Sequence, residues 1–464
     1  MTIMGAFMVP HPPIIIPTVG KGAERAITTT INAYNEVGRE IAALAPETIL
    51  VVSPHTVAYA DYFHIAPGQG AEGNFGQFRA PETAFKVTYD TELVNNICEA
   101  AQKAGLPVGI MGERDKNLDH GVMVPLFFVN KFYTNYKLVR MGFSGLPLPV
   151  HYRVGMIIAQ AIEKLGRKVV IIASGDLSHK LKEEGPYGFD PAGPEYDEKI
   201  MKVMGKGDFG QLLKFPTGLN EAAAECGHRS FTIMAGTLDG RDVQAKALSH
   251  QGDFGVGYGI CTFYPDGENP KRHFLENYKH EENKKQWERL AREDAYIALA
   301  RKTINTYVET GKILSVSADL PQDMLTKRAG TFVSLHKDGQ LRGCIGTINP
   351  VTANIAQEII NNGISAATRD PRFAPVHADE LPYLEISVDI LGPIEEHISV
   401  KDLDIKRYGV IVTKNGRRGL LLPNLEGVDT VEDQLAIAEQ KAGIAVGEVG
   451  VDLARFEVIR HEVK

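Results

Sequence analysis

Two histidines, His11 in MVPHPPIIIP and His55 in ETILVVSPH, each follow a short apolar run and neighbour prolines that fix the chain locally. Imidazole nitrogen suits iron, zinc, copper or nickel, and a carboxylate as third ligand turns the choice toward harder, octahedral metals. The segment NEAAAECGHRSFTIMAGTL brings Glu225, Cys226 and His228 together within four positions, just before an apolar helix expected to begin near Ser230. Glu225 completes a set of two histidines and one carboxylate, which holds one face of Fe(II) and leaves three positions for substrate and oxygen. Cys226 is its competitor, because a thiolate favours a softer ion such as copper or zinc. Each also has a structural use, Glu225 as a surface ion-pair partner and Cys226 as a small buried hydrophobe.

The run KVVIIASGDLSHKL supplies the next candidates. Ser174-Gly175-Asp176 follows an expected strand, and the glycine lets the backbone turn closely past a ligand. His179 lies three residues beyond Asp176. A histidine near its ordinary pKa of about 6.5 can take a phenolic proton and return it. A helix cap or a hydrogen bond to Asp176 is the plainer use of the same ring. His120, in NLDHGVMVPLFFV, is read as preceding another strand and as a hydrogen-bond partner for bound substrate or oxygen.

Such distant residues meet only if the elements between them bring them to one rim. ETILVVS and KVVIIAS are dense in β-branched and apolar residues, as strands buried on both faces are. Helices are expected over 23–44, 91–104 and 153–165. Strand and helix signals alternate, which points to an α/β fold with a largely parallel sheet and crossover helices. Strand exits in such a sheet lie side by side along one edge.

The bulk properties permit this arrangement. A chain of 464 residues with 44% apolar and 23% charged content allows two or three domains. A net charge of -8 gives no reason to expect a nucleic-acid partner. No apolar run reaches the roughly 18–20 residues that cross a bilayer. No basic segment precedes a signal-like core, so export is not expected. The four cysteines are irregularly spaced, without a CxxC pair, which favours a reducing, cytoplasmic setting.

After Pro265 the character changes. Residues 1–265 are read as the metal-site domain, 266–285 as a charged linker and 286–464 as a smaller α+β domain. The linker runs through the turn formers PDGENP into a stretch that is charged first and amphipathic later. TFVSLHKDGQLRGCIGTI has a hairpin pattern around Lys337-Asp338-Gly339, and Asn415-Gly416 marks a second tight turn. Further helices are expected over 351–362 and 430–442. Two glycines beside Cys344 within one strand suggest a bulge or a close approach of another chain or ligand. Cys344 has no adjacent histidine, so a buried structural use is expected of it. The loop carrying Arg369, Asp370 and Arg372 suits either an anion or an internal salt-bridge network.

The N-terminal pieces PHPP, SPH, LDHGVMVPL, SGDLSH and AECGHRS resemble, in this order, those of the class III extradiol ring-cleavage dioxygenases. That LigB-like superfamily also includes the Memo proteins. The resemblance covers roughly the first 265 residues. It implies nonheme Fe(II) on His11, His55 and Glu225, His179 as acid/base, and His120 near substrate and oxygen. Memo-like proteins place a cysteine in this part of the site, where Cys226 stands here. LRGCIGT, SAATRDPRF and LEISVDIL resemble the AMMECR1 domain, a family without a firmly assigned reaction. The pairing of the two domains resembles that of the AmmeMemoRadiSam system, which implies association with a radical SAM protein.

Three functions follow as expectations. The first is an Fe(II)-dependent dioxygenase or related oxidoreductase acting on a catecholic small molecule. The second is a Memo-like metal-binding or interaction module, with His11, His55 and Cys226 around a zinc or copper ion. The third is metal-assisted hydrolysis.

Overall fold

The computed structural model describes residues 2–112, 117–337, 339–425 and 427–463. The chain divides into two compact units, Met1–His280 and Glu281–Lys464. The charged run between the expected domains is helical over Phe274–Ala291.

The first unit is built on a mixed six-stranded sheet in the order Lys137–Met141, Thr48–Val52, Val169–Ser174, Ile3–Val9, Tyr258–Glu268, Arg241–Gln251. The first four strands are parallel, and the last two add antiparallel at one side. The expectation of a largely parallel sheet therefore holds for the centre and not for that side. Thr48–Val52 and Val169–Ser174 are buried along their whole length. Their alternate side chains feed two cores. Met8, Leu50, Val52, Ile171 and Ala173 face one, and Phe7, Val9, Ile49, Val51 and Ile172 face the other. In the second core Tyr34 stacks on Phe128 with ring centroids 4.2 Å apart, a contact worth about 1 kcal/mol beyond its burial.

Residues 23–27 form a 3₁₀ turn, and the expected helix begins at Thr28–Leu44. The next two helices are Thr91–Lys103 and Leu148–Leu165. One assignment is overturned. HGVMVPLFFV is not a strand preceded by His120 but the helix His120–Val129, which His120 opens. A continuous apolar run carries no period that separates a buried helix from a buried strand. The Asp119 carboxylate settles it by accepting from the Val122 N–H at 3.2 Å as an N-cap.

The register explains the rim. Val52 lies opposite Ala173, and Ser174 opposite Val9. His11, His55 and Asp176 thus leave the same end of three adjacent parallel strands within two or three residues of each last position.

The second unit is an antiparallel seven-stranded sheet. Its main order is Gln340–Gly346, Thr331–Lys337, Glu385–Leu391, Asp452–His461, Tyr408–Lys414, Arg417–Leu421, with Glu395–Glu396 beside Asp452–His461. Helices Ala295–Thr310 and Ile355–Thr368 share one core with the first strands, and Val431–Ala442 packs on Tyr408–Lys414 and Arg417–Leu421. Asn415 and Gly416 both have positive φ, 49° and 75°, as the tight hairpin turn requires. Of the other expected turn, Gly339 has φ 74° and Asp338 lies outside the described residues.

Candidate metal centre

Three ligand atoms converge at the rim. The Nε2 atoms of His11 and His55 are 2.9 Å apart, and Cys226 Sγ lies 3.6 Å from His11 Nε2. All three donors fall within 4.8 Å of one another. His11 is buried, Cys226 half-buried and His55 exposed, so the cluster opens to solvent on the His55 side.

The donor set fits a metal ion. Two nitrogens bound at about 2.05 Å span 2.9 Å when they subtend about 90° at the ion. With a sulfur bond of about 2.3 Å, the 3.6 Å separation corresponds to about 110°. Among the described residues these three side chains form a potential metal-binding cluster.

Each ligand is held from behind. His11 Nδ1 lies 3.0 Å from Ser174 Oγ, whose hydroxyl donates to the Gly121 carbonyl at 2.5 Å. The hydroxyl lone pair therefore receives the Nδ1 proton, which leaves the Nε2 lone pair facing the cluster. The His11 main-chain N–H donates to Asp176 Oδ1 at 2.7 Å. His55 is placed through its own N–H, which donates to Ser53 Oγ at 3.2 Å, while Ser53 donates to Asp119 Oδ1 at 2.6 Å. One carboxylate thus caps the His120 helix and anchors the His55 loop.

Cys226 is located by backbone contact. A Cβ built on Gly175 would fall 2.1 Å from Gly227 Cα. The close approach expected at Gly175 is thus to another stretch of backbone rather than to a ligand. The contact lets the Asp176 N–H donate to Cys226 Sγ at 3.3 Å and the Cys226 N–H to the Asp176 carbonyl at 3.4 Å.

Burial governs the electrostatics. It holds the His11 imidazole well below its ordinary pKa, helped by His55 and His179. It also lowers His55, against the pull of Asp119 and Asp176. Both rings are therefore neutral, the form that binds a metal. Burial pushes the Cys226 thiol well above its usual range, so ion binding must displace its proton. Asp176 is raised to about 6 by burial, against the charges and hydrogen bonds of its histidine neighbours.

The other expected residues are distributed as follows. The His120 ring lies 4.1 Å from the His55 ring and 5.4 Å from that of His11, with Phe78 5.6 Å away. Burial lowers its pKa to about 3. His179 Nδ1 donates to the Ala224 carbonyl at 2.6 Å, and the exposed Tyr187 meets its ring edge-on at 5.3 Å. Glu225 stands outside the ligand cluster. Its Oε2 accepts from the His228 N–H at 2.6 Å, at the start of helix His228–Gly236. Burial raises its carboxyl to about 7. His228 is structural, with Nε2 donating to the Leu212 carbonyl at 2.9 Å and Nδ1 accepting from the Tyr196 hydroxyl at 3.1 Å. Ser53 and Asp119 were not foreseen, nor was the hydrogen bond by which Ser174 holds His11. The one available signal was Asp119 directly before an apolar run, the mark of a helix start.

Comparison with known proteins places the chain in a family. Residues 5–261 match the model of the catalytic LigB subunit of aromatic ring-opening dioxygenase, and residues 297–461 match AMMECR1. A Clostridium acetobutylicum protein is 41% identical over the full length of both chains. A Thermotoga maritima protein is 51% identical over 37% of this chain and 98% of its own. A solved structure of an uncharacterized Pyrococcus horikoshii protein covers 36% of this chain and 88% of its own, at 30% identity and a TM-score of 0.34. The chain belongs to the LigB family, with a LigB/Memo-like N-terminal domain fused to a C-terminal AMMECR1 domain.

Proposed function

We propose that the N-terminal unit is a metal-binding module in which His11, His55 and Cys226 hold a zinc or copper ion. One observation carries this reading: the thiol of Cys226, and not the carboxylate of Glu225, stands beside the two imidazoles. Two nitrogens and one sulfur suit a borderline or soft ion better than Fe(II). When bound, such an ion supplies Lewis acidity at its open position or, as copper, one-electron chemistry. The protein's own part is to keep both imidazoles neutral and to fix the His11 tautomer through Ser174. Association with a radical SAM protein, implied by the domain pairing, belongs to the same proposal.

A second reading takes up the aromatic ring-opening named in the family description and makes it, in this chain, Fe(II)-dependent opening of a catecholic ring. The neutral rings of His120 and the placement of His179 and Asp176 near the cluster favour it as proton-handling groups. It requires the Glu225 carboxylate to leave its helix cap and turn toward the ion. Metal-assisted hydrolysis needs only an activated water at the same position.

Metal titration of the apo-protein separates these readings. Zinc or copper affinity should fall more than about 100-fold in Cys226→Ala and change less than about threefold in Glu225→Gln. The reverse pattern, with a catechol charge-transfer band and O₂ uptake on the Fe(II) form, would establish the ring-cleaving reading instead. Turnover of an ester without O₂ would establish the hydrolase.

A further inference from the structure

The six-stranded sheet of the first unit ends on two unlike edges, Lys137–Met141 and Arg241–Gln251. At the first, the outward carbonyls of Leu138 and Arg140 accept from the N–H groups of Asp90 and Ala66, each at 2.9 Å. The edge strand Gln340–Gly346 of the second unit is met in a similar way. There the Cys344 N–H donates to Asp370 Oδ2 at 2.9 Å, and its carbonyl accepts from Arg372 Nη2 at 3.2 Å. Arg372 and Asp370 also pair with each other, with Nη2 2.7 Å from Oδ2.

Arg241–Gln251 has no such cover, and the registers fix which of its groups face outward. The Val9 carbonyl accepts from the Gly175 N–H at 2.9 Å, so Val9 points toward the parallel strands. Main-chain groups alternate in direction along a strand. Ala6 and Met8 therefore turn to Tyr258–Glu268, where they face Phe263 and Cys261. Thr262 and Tyr264 in turn point to the edge strand, opposite Lys246 and Gln244. This leaves the N–H and C=O of Val243, Ala245 and Ala247 directed away from the sheet. Among the described residues no hydrogen bond reaches them from outside it. Val243 and Ala245 pack toward the core beside helix Ala192–Lys206. On the other face Lys246 Nζ reaches Glu36 of helix Thr28–Leu44 at 2.9 Å. A helix lies over each face, and the edge between them stays open.

This segment is complementary to itself. Asp242 and Lys246 stand two residues to either side of Gln244. An antiparallel copy centred on Gln244 sets Val243 opposite Ala245, outward groups against outward groups, so the two exchange both main-chain bonds. The same register sets Asp242 opposite the second copy's Lys246, as a non-hydrogen-bonded pair with close side chains. The twofold axis repeats that opposite-charge pair. Centring on Lys246 would set it against itself, and centring on Val243 or Ala245 would bring neither charge to its opposite. Asp242 accepts from the neutral Asn269 amide at 2.7 Å, which leaves its charge uncompensated. Lys246 and Glu36 are both exposed, so the ammonium can serve Glu36 and the second copy's Asp242 together.

We propose that Arg241–Gln251 is an interaction surface for a second copy of this chain. The two sheets join across a twofold axis at Gln244 into one continuous sheet, with a carboxylate–ammonium pair on each side of the axis.

Sedimentation of the intact chain tests this together with a site-specific cross-link. The parent should sediment as a dimer at micromolar concentration. Gln244→Cys should give a disulfide-linked dimer on mild oxidation, because a non-hydrogen-bonded pair brings its Cα atoms to about 4.5 Å. Asp242→Cys, away from the axis, should not. Lys246→Asp should weaken the dimer about tenfold, and adding Asp242→Lys should restore it. Val243→Pro removes one outward N–H, a change that an edge strand tolerates. It should give a monomer with an unchanged circular dichroism spectrum. A monomeric parent would overturn the proposal and leave the edge to an extended segment of another protein. So would a dimer that survives Val243→Pro, or one in which Gln244→Cys stays unlinked.

Discussion

Ser174 shows how a residue outside the proposed ligand set governs the tautomer of one within it. Its hydroxyl spends its proton on the Gly121 carbonyl and must accept from His11 Nδ1. Ser174→Ala leaves that nitrogen without its acceptor and frees the ring to take the other tautomer. Zinc affinity measured by competition with a chelating dye should fall about 10- to 100-fold, the usual effect of losing such a partner. Affinity within about twofold of the parent would show that the tautomer is set elsewhere. At this scale His11 and His55 were legible, because a polar residue just past a buried strand has few reasons to be there. The choice between Glu225 and Cys226 was not. Adjacent residues point in different directions, and which one turns to the rim follows from tertiary contacts, the Gly175–Gly227 approach and the bonds that hold Cys226 to Asp176 and Glu225 to His228.

At the scale of the element, the central strands could be read directly, since strands buried on both faces are continuous apolar runs. The same composition misled at His120–Val129, where the helix start depends on one carboxylate. Asp119 caps that helix and also ties Ser53 and the His55 loop to it. Asp119→Ala should therefore act twice. Thermal or denaturant unfolding should show a loss of about 1 kcal/mol from the cap. Metal affinity should fall as well, because the loop loses its anchor. A stability loss with unchanged affinity would mean that the loop holds His55 by itself. The Asn415–Gly416 hairpin was legible for the opposite reason, because positive φ at two consecutive positions admits few other residues.

At the scale of the whole molecule, burial holds five histidines of the first unit in neutral form, while Asp239 raises His273. Burial lowers His11, His55, His120, His151 and His228, the last two to about 4. Asp176 and Glu225 are shifted the other way, to about 6 and about 7. A histidine with a depressed pKa is stabilising above its unfolded value near 6.5, and that contribution is lost as pH falls toward the folded value. The two raised carboxylates work in the opposite sense over the same range. Five imidazoles outweigh them, so the unfolded chain binds more protons and stability falls with acid. Each net proton is worth about 1.4 kcal/mol per pH unit. The thermal midpoint of the metal-free protein should drop steadily between pH 6.5 and pH 4.5, and a flat or rising profile would contradict this balance.

The fastening of the Cys344 strand by Asp370 and Arg372 has a consequence for the second unit. A bare sheet border is an open template, on which any passing strand can zip and from which fibrils grow. On the edge strand Gln340–Gly346, the Asp370 carboxylate and the Arg372 guanidinium answer the outward N–H and C=O of Cys344 with the bonds a foreign chain would otherwise supply there. The loop thus closes this border at one residue near its middle, where an added strand would have to displace both bonds to pair.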